Sequence, residues 1–278
     1  MSAISAGPPK SASDPHFDVT ESQVEQYREQ GFLSLDRITT DAEVAWLSEV
    51  WDELFADRRR WFDVARPFGA NDSVIAGQML FPERLAPCLS DTIYIRSARR
   101  IATKLLGLPA NEVESWGHMI VKPARVGRAT PWHQDESYWE AELDYHAVGA
   151  WMPLEDVDGR NGCMCFVPGS HRSELLAHRH VDYDARLHML EVDSPVDVSR
   201  AVEVPLRAGG VTFHHPRTLH ATASNVTDRP RRSFAMEFQS APATRAVPRE
   251  KPWLDEQRRV WIAHRDEKAR ARATDPSA

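Results

Sequence analysis

The stretch RRSFAMEF, residues 231–238, alternates strictly. Phe234, Met236 and Phe238 fall on one side, and Arg231, Ser233 and Ala235 on the other. A period of two marks an extended strand with two unlike faces, because successive side chains point to opposite sides. Working outward from it, further short runs appear: SWGHMIVKP (115–123), HAVGAWMPL (146–154), CMCFVPG (163–169), VEVPL (202–206) and GVTFHH (210–215). Gly, Pro, Asn and Asp separate them. Many short strands between such turn residues predict a sandwich or a barrel.

The first part of the chain has a different texture. Thr20 with Gln23 has the capping-box pattern, and Gly31 ends that helix. Thr40 with Glu43 repeats the device, and Val44, Leu47, Trp51, Leu54 and Phe55 then share one helical face. A third helix is expected from about Asp91 to Leu106, stopped by Gly107, with Ile93, Ile101, Leu105 and Leu106 as its apolar stripe. Helices first and strands second give a mainly β, α+β chain with the helices packed outside. The expected organisation is a disordered leader over 1–17, one domain over 18–262 and a mobile tail over 263–278. Within the domain, the helical part covers about 18–112 and the β core about 113–240. Residues 179–200 are polar and irregular and read as a lid-like loop.

Composition narrows the function. A hydrophobic fraction of 42% in 278 residues supports a substantial core. A net charge of −7 argues against nucleic acid as a partner, with Arg58–Arg60 and Arg229–Arg232 as local exceptions. Three cysteines imply a reducing compartment without a disulfide framework, and Cys163 and Cys165 read as small residues in a strand. No apolar run reaches the roughly 20 residues of a membrane span. The opening MSAISAGPPKSASDP lacks a signal-peptide pattern. The expectation is a soluble cytoplasmic protein, monomer or homodimer, acting on a small molecule.

The chemistry concentrates in two places. In TPWHQDESYW (130–139), His133 and Asp135 stand two apart, so in an extended chain both face one cavity, with Gln134 on another vector. In GGVTFHHPRTLHATASN (209–225), His214, His215 and His220 offer a third ligand. Two His and one carboxylate on one face of an iron form the facial triad of non-heme oxygenases. Spacing alone does not choose among the three histidines.

Three ordered stretches together resemble the phytanoyl-CoA dioxygenase family of iron(II)- and 2-oxoglutarate-dependent oxygenases. They are VKPARVGRATPWHQDESYW, AWMPLEDVDGRNGCMCFVPGSHR and GGVTFHHPRTLHATASNVTDRPRRSFAMEF, spanning roughly Trp116 to Phe238. The resemblance implies a double-stranded β-helix (a cupin-like jelly roll) with the N-terminal helices outside. It implies Fe(II), 2-oxoglutarate and O2, with His133, Asp135 and His220 as metal ligands. It implies Arg231 as the partner of the far carboxylate of 2-oxoglutarate, a choice the alternation of 231–238 supports, with Ser233 beside it. Gln134, Trp151 and Gln78 match positions that line the cofactor pocket. The activity implied is oxidation, by default hydroxylation, of an unactivated C–H bond in a secondary metabolite or lipid-like acid, releasing succinate and CO2. With Asp135 present, oxygenation rather than halogenation is implied. Tyr138, Trp139, Phe68, Met79 and Trp116 are candidate cavity walls. His171 reads as part of a structural turn, and His118 and Lys122 point toward the cavity without an assigned role. Two other readings fit the ligand set: a zinc or manganese hydrolase or isomerase of cupin type, and a non-catalytic jelly-roll binding protein.

Overall fold

The capping signals in the sequence set the helices. In this computed structural model, residues 2–9, 15–56, 77–185 and 189–274 are described, with side chains up to Ala263. A short helix, α1, spans Ala3–Ala6. Helix α2, Glu21–Gln30, opens with the full Thr20–Gln23 capping box and closes on Gly31, which takes the left-handed conformation that glycine tolerates best. Helix α3 covers Asp41–Ala56, α4 covers Ile93–Leu106, and α5 covers Pro252–Thr274.

Glu43 departs from the expected capping box. The Thr40 hydroxyl does accept from the Glu43 amide, at 3.2 Å. The Glu43 carboxylate, however, turns away and accepts from the Ile93 and Tyr94 amides at 2.6 and 2.8 Å. A fully buried carboxylate thus caps the first turn of α4, where the helix dipole favours negative charge.

Among the described residues, fourteen strands follow the helices or interleave with them. Six form the larger sheet, in the order β1–β11–β6–β13–β3–β2. They are β1 (Phe32–Leu35), β2 (Gly77–Leu80), β3 (Glu114–Lys122), β6 (Ala147–Pro153), β11 (Val211–His214) and β13 (Arg231–Gln239). Four form the smaller sheet, β10–β7–β12–β4: β4 (Thr130–His133), β7 (Met164–Phe166), β10 (Val202–Val204) and β12 (His220–Thr222). Two antiparallel ribbons complete the set, β5 (Leu143–Asp144) with β14 (Ala243–Thr244), and β8 (His178–His180) with β9 (Leu190–Val192). The two main sheets face each other as an open jelly roll.

Alternation along β13 decides what lies on each side. Phe234, Met236 and Phe238 join Met119, Val148, Ala150, Phe213 and Met79 in the core under the helices, with Leu47, Val50 and Ile101. Truncating a fully buried phenylalanine such as Phe234 to Ala costs about 3–5 kcal/mol. Ala235 joins Trp151, Phe32, Met164 and Phe166 between the sheets. Phe32 stacks on Phe166 with ring centroids 4.6 Å apart.

The structure adds detail to three of these expectations. Part of the expected disordered leader is ordered: the Glu53 carboxylate accepts from the Ala3 amide at 2.5 Å, and the Trp46 indole donates to the Ala3 carbonyl at 2.9 Å. The expected tail is helical in its backbone as far as Thr274. The lid-like stretch contains the β8–β9 ribbon, and β9 lies against β4. Arg58–Arg60 and Phe68 lie outside the described residues.

Candidate metal centre

Register brings the two histidines together. His133 at the end of β4 pairs directly with His220 at the start of β12. Their ring centroids are 4.1 Å apart. Gln134 stays extended (φ −124°, ψ 130°), so Asp135 returns to the same side as His133, at the head of a short 3-10 turn over Asp135–Tyr138. One ligand atom from each of His133, Asp135 and His220 lies within 4.8 Å of the others. Asp135 Oδ1 is 3.5 Å from His133 Nε2 and 3.4 Å from His220 Nε2.

The protonation pattern favours a cation at this point. Nδ1 of His133 donates to the Pro131 carbonyl at 2.8 Å, and Nδ1 of His220 to the Thr218 carbonyl at 2.9 Å. In the neutral rings, Nε2 is then a bare lone pair. Burial lowers the pKa of His133 and keeps its ring neutral. Burial opposes ionisation of Asp135, yet the imidazoles of His220, His133 and His214 hold its carboxyl well below the ordinary range. Two lone pairs and an anion converge, an arrangement a divalent metal satisfies. On the far side, His214 Nε2 donates to Asp135 Oδ2 at 2.8 Å and fixes the carboxylate's rotation. His214 is therefore a partner of the aspartate, and His215 accepts from the Arg217 amide at 3.0 Å, away from the cluster.

Arg231 starts the mixed face of β13. The residue is 2% exposed, and its guanidinium lies 5.3 Å from the centroid of Trp151. It donates to Ser233 Oγ at 3.0 Å, while its Nε has no hydrogen-bond partner among the described residues. Among the described residues it has no ion-pair partner. Burying a guanidinium without a counter-charge is expensive, so this one fits an anionic ligand. Its neighbour Arg232 faces the other way, bonded to Glu155 at 2.5 Å and Asp52 at 2.7 Å.

A family profile, phytanoyl-CoA dioxygenase (PhyH), matches residues 27–233. The chain belongs to the phytanoyl-CoA dioxygenase family. Peroxisomal phytanoyl-CoA dioxygenase from Mus musculus is 28% identical over 130 residues, 45% of this chain and 38% of that protein. The matched stretch is thus well under half the length of that relative. Ectoine dioxygenase from Bordetella parapertussis is 26% identical over 244 residues, covering 82% of this chain and 77% of the relative. Among solved structures, EvdO2 from Micromonospora carbonacea var. aurantiaca complexed with 2-oxoglutarate superposes with a TM-score of 0.76 and 32% identity. That superposition covers 87% of this chain and 99% of EvdO2.

Within this family member the other expected cofactor contacts take varied places. Trp151 lies under Arg231, as described above. Gln78 Nε2 donates to His118 Nδ1 at 2.5 Å, on the same inner wall. Gln134 is turned away. Its Nε2 donates to the Arg217 carbonyl at 2.8 Å and its Oε1 accepts from the Leu176 amide at 2.9 Å, so its amide ties loops. Met79 packs fully buried under the helices, because alternation sends Gln78 and Leu80 inward instead. The Tyr138 hydroxyl accepts from the Leu190 amide at 2.7 Å, and Trp139 packs on Tyr145. Lys122 is buried with Nζ on the Arg128 and Ala223 carbonyls at 2.7 and 2.9 Å, closing the Arg231 end between the sheets. His171 bonds the Arg28 carbonyl at 3.1 Å, beside Gly169 in its left-handed conformation (φ 76°). A separate surface recess of about 600 Å³, lined by Glu155, Asp156, Arg160, Asn161 and residues 226–230, holds none of the cluster.

Two features escaped the sequence reading. Glu237 continues the inner face of β13 and is buried; burial and the charge of Asp135 push its carboxyl well above the ordinary range. A C-terminal segment grips the turn behind Asp135. Lys251 Nζ donates to the Glu136 and Trp139 carbonyls at 2.6 and 2.8 Å, and the Trp253 indole donates to the Ser137 carbonyl at 2.9 Å. Glu136 is itself ion-paired with Arg249 at 2.8 Å. Alternation carried past Ala235 would have found Glu237; nothing local marks Lys251.

Proposed function

We propose that this chain is an iron(II)- and 2-oxoglutarate-dependent oxygenase that oxidises an unactivated C–H bond of a small organic molecule. The single observation behind this reading is the convergence of two imidazole lone pairs and one carboxylate near a buried, unpaired guanidinium. In this reading His133, Asp135 and His220 hold the iron, and His214 keeps Asp135 in the orientation that points one oxygen at it. Arg231, braced by Ser233 and floored by Trp151, takes the far carboxylate of 2-oxoglutarate through charge-assisted hydrogen bonds. When bound, iron and 2-oxoglutarate together supply the oxidant, with succinate and CO2 as co-products. The walls between the sheets orient the substrate and exclude water. A cytoplasmic location, with monomer or homodimer assembly, accompanies this reading. No helix among the described residues is long and apolar enough to cross a membrane.

A zinc hydrolase of the same ligand set leaves the buried Arg231 without a purpose. Anaerobic addition of Fe(II) and 2-oxoglutarate separates the two. A weak visible charge-transfer band is expected in the parent, strongly reduced in Arg231→Ala. Absence of the band at saturating 2-oxoglutarate, with iron bound, overturns the cofactor assignment.

A further inference from the structure

The metal cluster and Arg231 explain one part of the inner wall and leave another unexplained. Strand register arranges the inward residues of the larger sheet in rows. His214, Gly149, Glu237 and Trp116 form one row. Thr212, Trp151, Ala235, His118 and Leu80 form the next. Arg231 and Lys122 pair two rows beyond that, each row advancing about 7 Å. Arg231 reaches back over Trp151 in the second row, whereas His214 in the first row bonds Asp135. Glu237 and Trp116 therefore share the metal cluster's row, on the side away from Arg231. A co-substrate spanning the metal and Arg231 leaves this stretch of wall to the substrate.

The wall there is built for polar contact. Glu237 is 6% exposed, and its Oε2 has no hydrogen-bond partner among the described residues. Gly149 makes that placement possible: a Cβ there would stand 2.9 Å from the His214 ring and 3.1 Å from Glu237 Oε1. An unpartnered buried carboxyl costs stability, which a ligand donor restores. His118 in the next row supplies the complementary group. Gln78 donates to its Nδ1, so the neutral ring carries its hydrogen on Nε2. The Trp116 ring lies 5.6 Å from the His118 ring and is Glu237's partner across the ladder.

We propose that Glu237 and His118, flanking Trp116, together bind a hydroxyl group of the substrate, so that the molecule oxidised is a hydroxylated one and not a plain acyl chain. One acceptor beside one donor matches O–H, which both gives and takes a hydrogen bond. An ammonium offers His118 nothing to bond, and a carboxylate, which only accepts, gives no hydrogen to the acceptor oxygen of Glu237. This inference rests on the oxygenase reading above, and one experiment separates the two. The anaerobic enzyme with Fe(II) and 2-oxoglutarate is titrated with methyl α-D-glucopyranoside or myo-inositol, with putrescine, and with octanoate. Probe-induced shift of the visible band is read anaerobically, and probe-stimulated succinate formation is read after O2 is admitted. The hydroxylated probes are expected to shift the band and stimulate succinate, and the other two are not. Glu237→Leu is expected to form the band normally yet need at least about tenfold more probe, while Glu237→Gln, which keeps an acceptor, stays within about threefold. No response to either hydroxylated probe, a response to putrescine or octanoate instead, or a parental response in Glu237→Leu overturns the inference. A missing band in the parent counts against the oxygenase reading itself.

Discussion

The three clustered ligands are held in two different ways. His133 and His220 sit in paired strands, and their rings are aimed by carbonyls only two residues back in each strand's own approach, at Pro131 and Thr218. Asp135 heads a single 3-10 turn whose carbonyls are gripped from more than 100 residues away, by Lys251 and Trp253. A ladder spreads its support over many backbone bonds, so losing one side chain changes little. A turn held by side chains concentrates its support in a few atoms. The difference predicts where substitutions remote from the cluster will disturb it.

Lys251→Met gives the largest expected effect. It leaves the Glu136 and Trp139 carbonyls unpaired in a buried site, at about 1–3 kcal/mol each. Denaturant unfolding should therefore show a loss of about 2–6 kcal/mol. Binding of Co(II), read by its visible spectrum, should weaken about 10–100-fold, as for other groups that orient metal ligands. Destabilisation with unchanged Co(II) affinity would show that the grip serves folding and does not aim Asp135.

His214→Phe tests the carboxylate's other side. It removes the bond to Asp135 Oδ2 and keeps the ring volume. Co(II) affinity should fall about tenfold, with little change in unfolding. An unchanged affinity would mean that the turn alone orients Asp135.

A smaller effect depends on pH. Burial lowers the Lys251 amine to about 8, against 10.5 in an unfolded chain. Between those values the unfolded chain holds a proton that the folded chain has released, so stability rises with pH across that window. Below about pH 8 both states are protonated and the cost of burying the ammonium is fully present. Methionine does not titrate. The stability advantage of the parent over Lys251→Met should therefore widen from pH 8 toward pH 10, with other groups cancelling in the difference. A constant gap would place the proton elsewhere.

The same contrast explains how much was legible in advance. Features written in local spacing came through: the Thr20–Gln23 cap, the β13 alternation that separates Arg231 from Arg232, and His133 with Asp135 two apart. The grip of Lys251 on Glu136 spans 115 positions, and no periodicity records it. Glu43 shows the intermediate case. Its spacing from Thr40 matched a familiar motif, but a tertiary demand won, because the start of α4 lay buried with its amides in need of an acceptor. His214 is one of three candidate ligands by spacing, and its place beside Asp135 depends on how the end of β11 meets the turn after β4, 79 positions away, which spacing within one segment cannot reveal.

The smallest effect belongs to the strand-held side. Thr222 ends β12, buried, with its hydroxyl lacking a hydrogen-bond partner among the described residues. Its backbone is paired with β4 on one side and β7 on the other. Thr222→Val removes an unsatisfied hydroxyl and keeps the branched shape, so the lost polar group carried no bond to lose. Unfolding should shift by less than about 1 kcal/mol, toward greater stability if at all. Co(II) affinity should match the parent although the substitution lies two residues from His220, far nearer in sequence than Lys251 is to Asp135. If Thr222→Val weakened Co(II) binding as much as Lys251→Met, side-chain contacts would be steering the strand as well, and the distinction between ladder-held and turn-held ligands would fail.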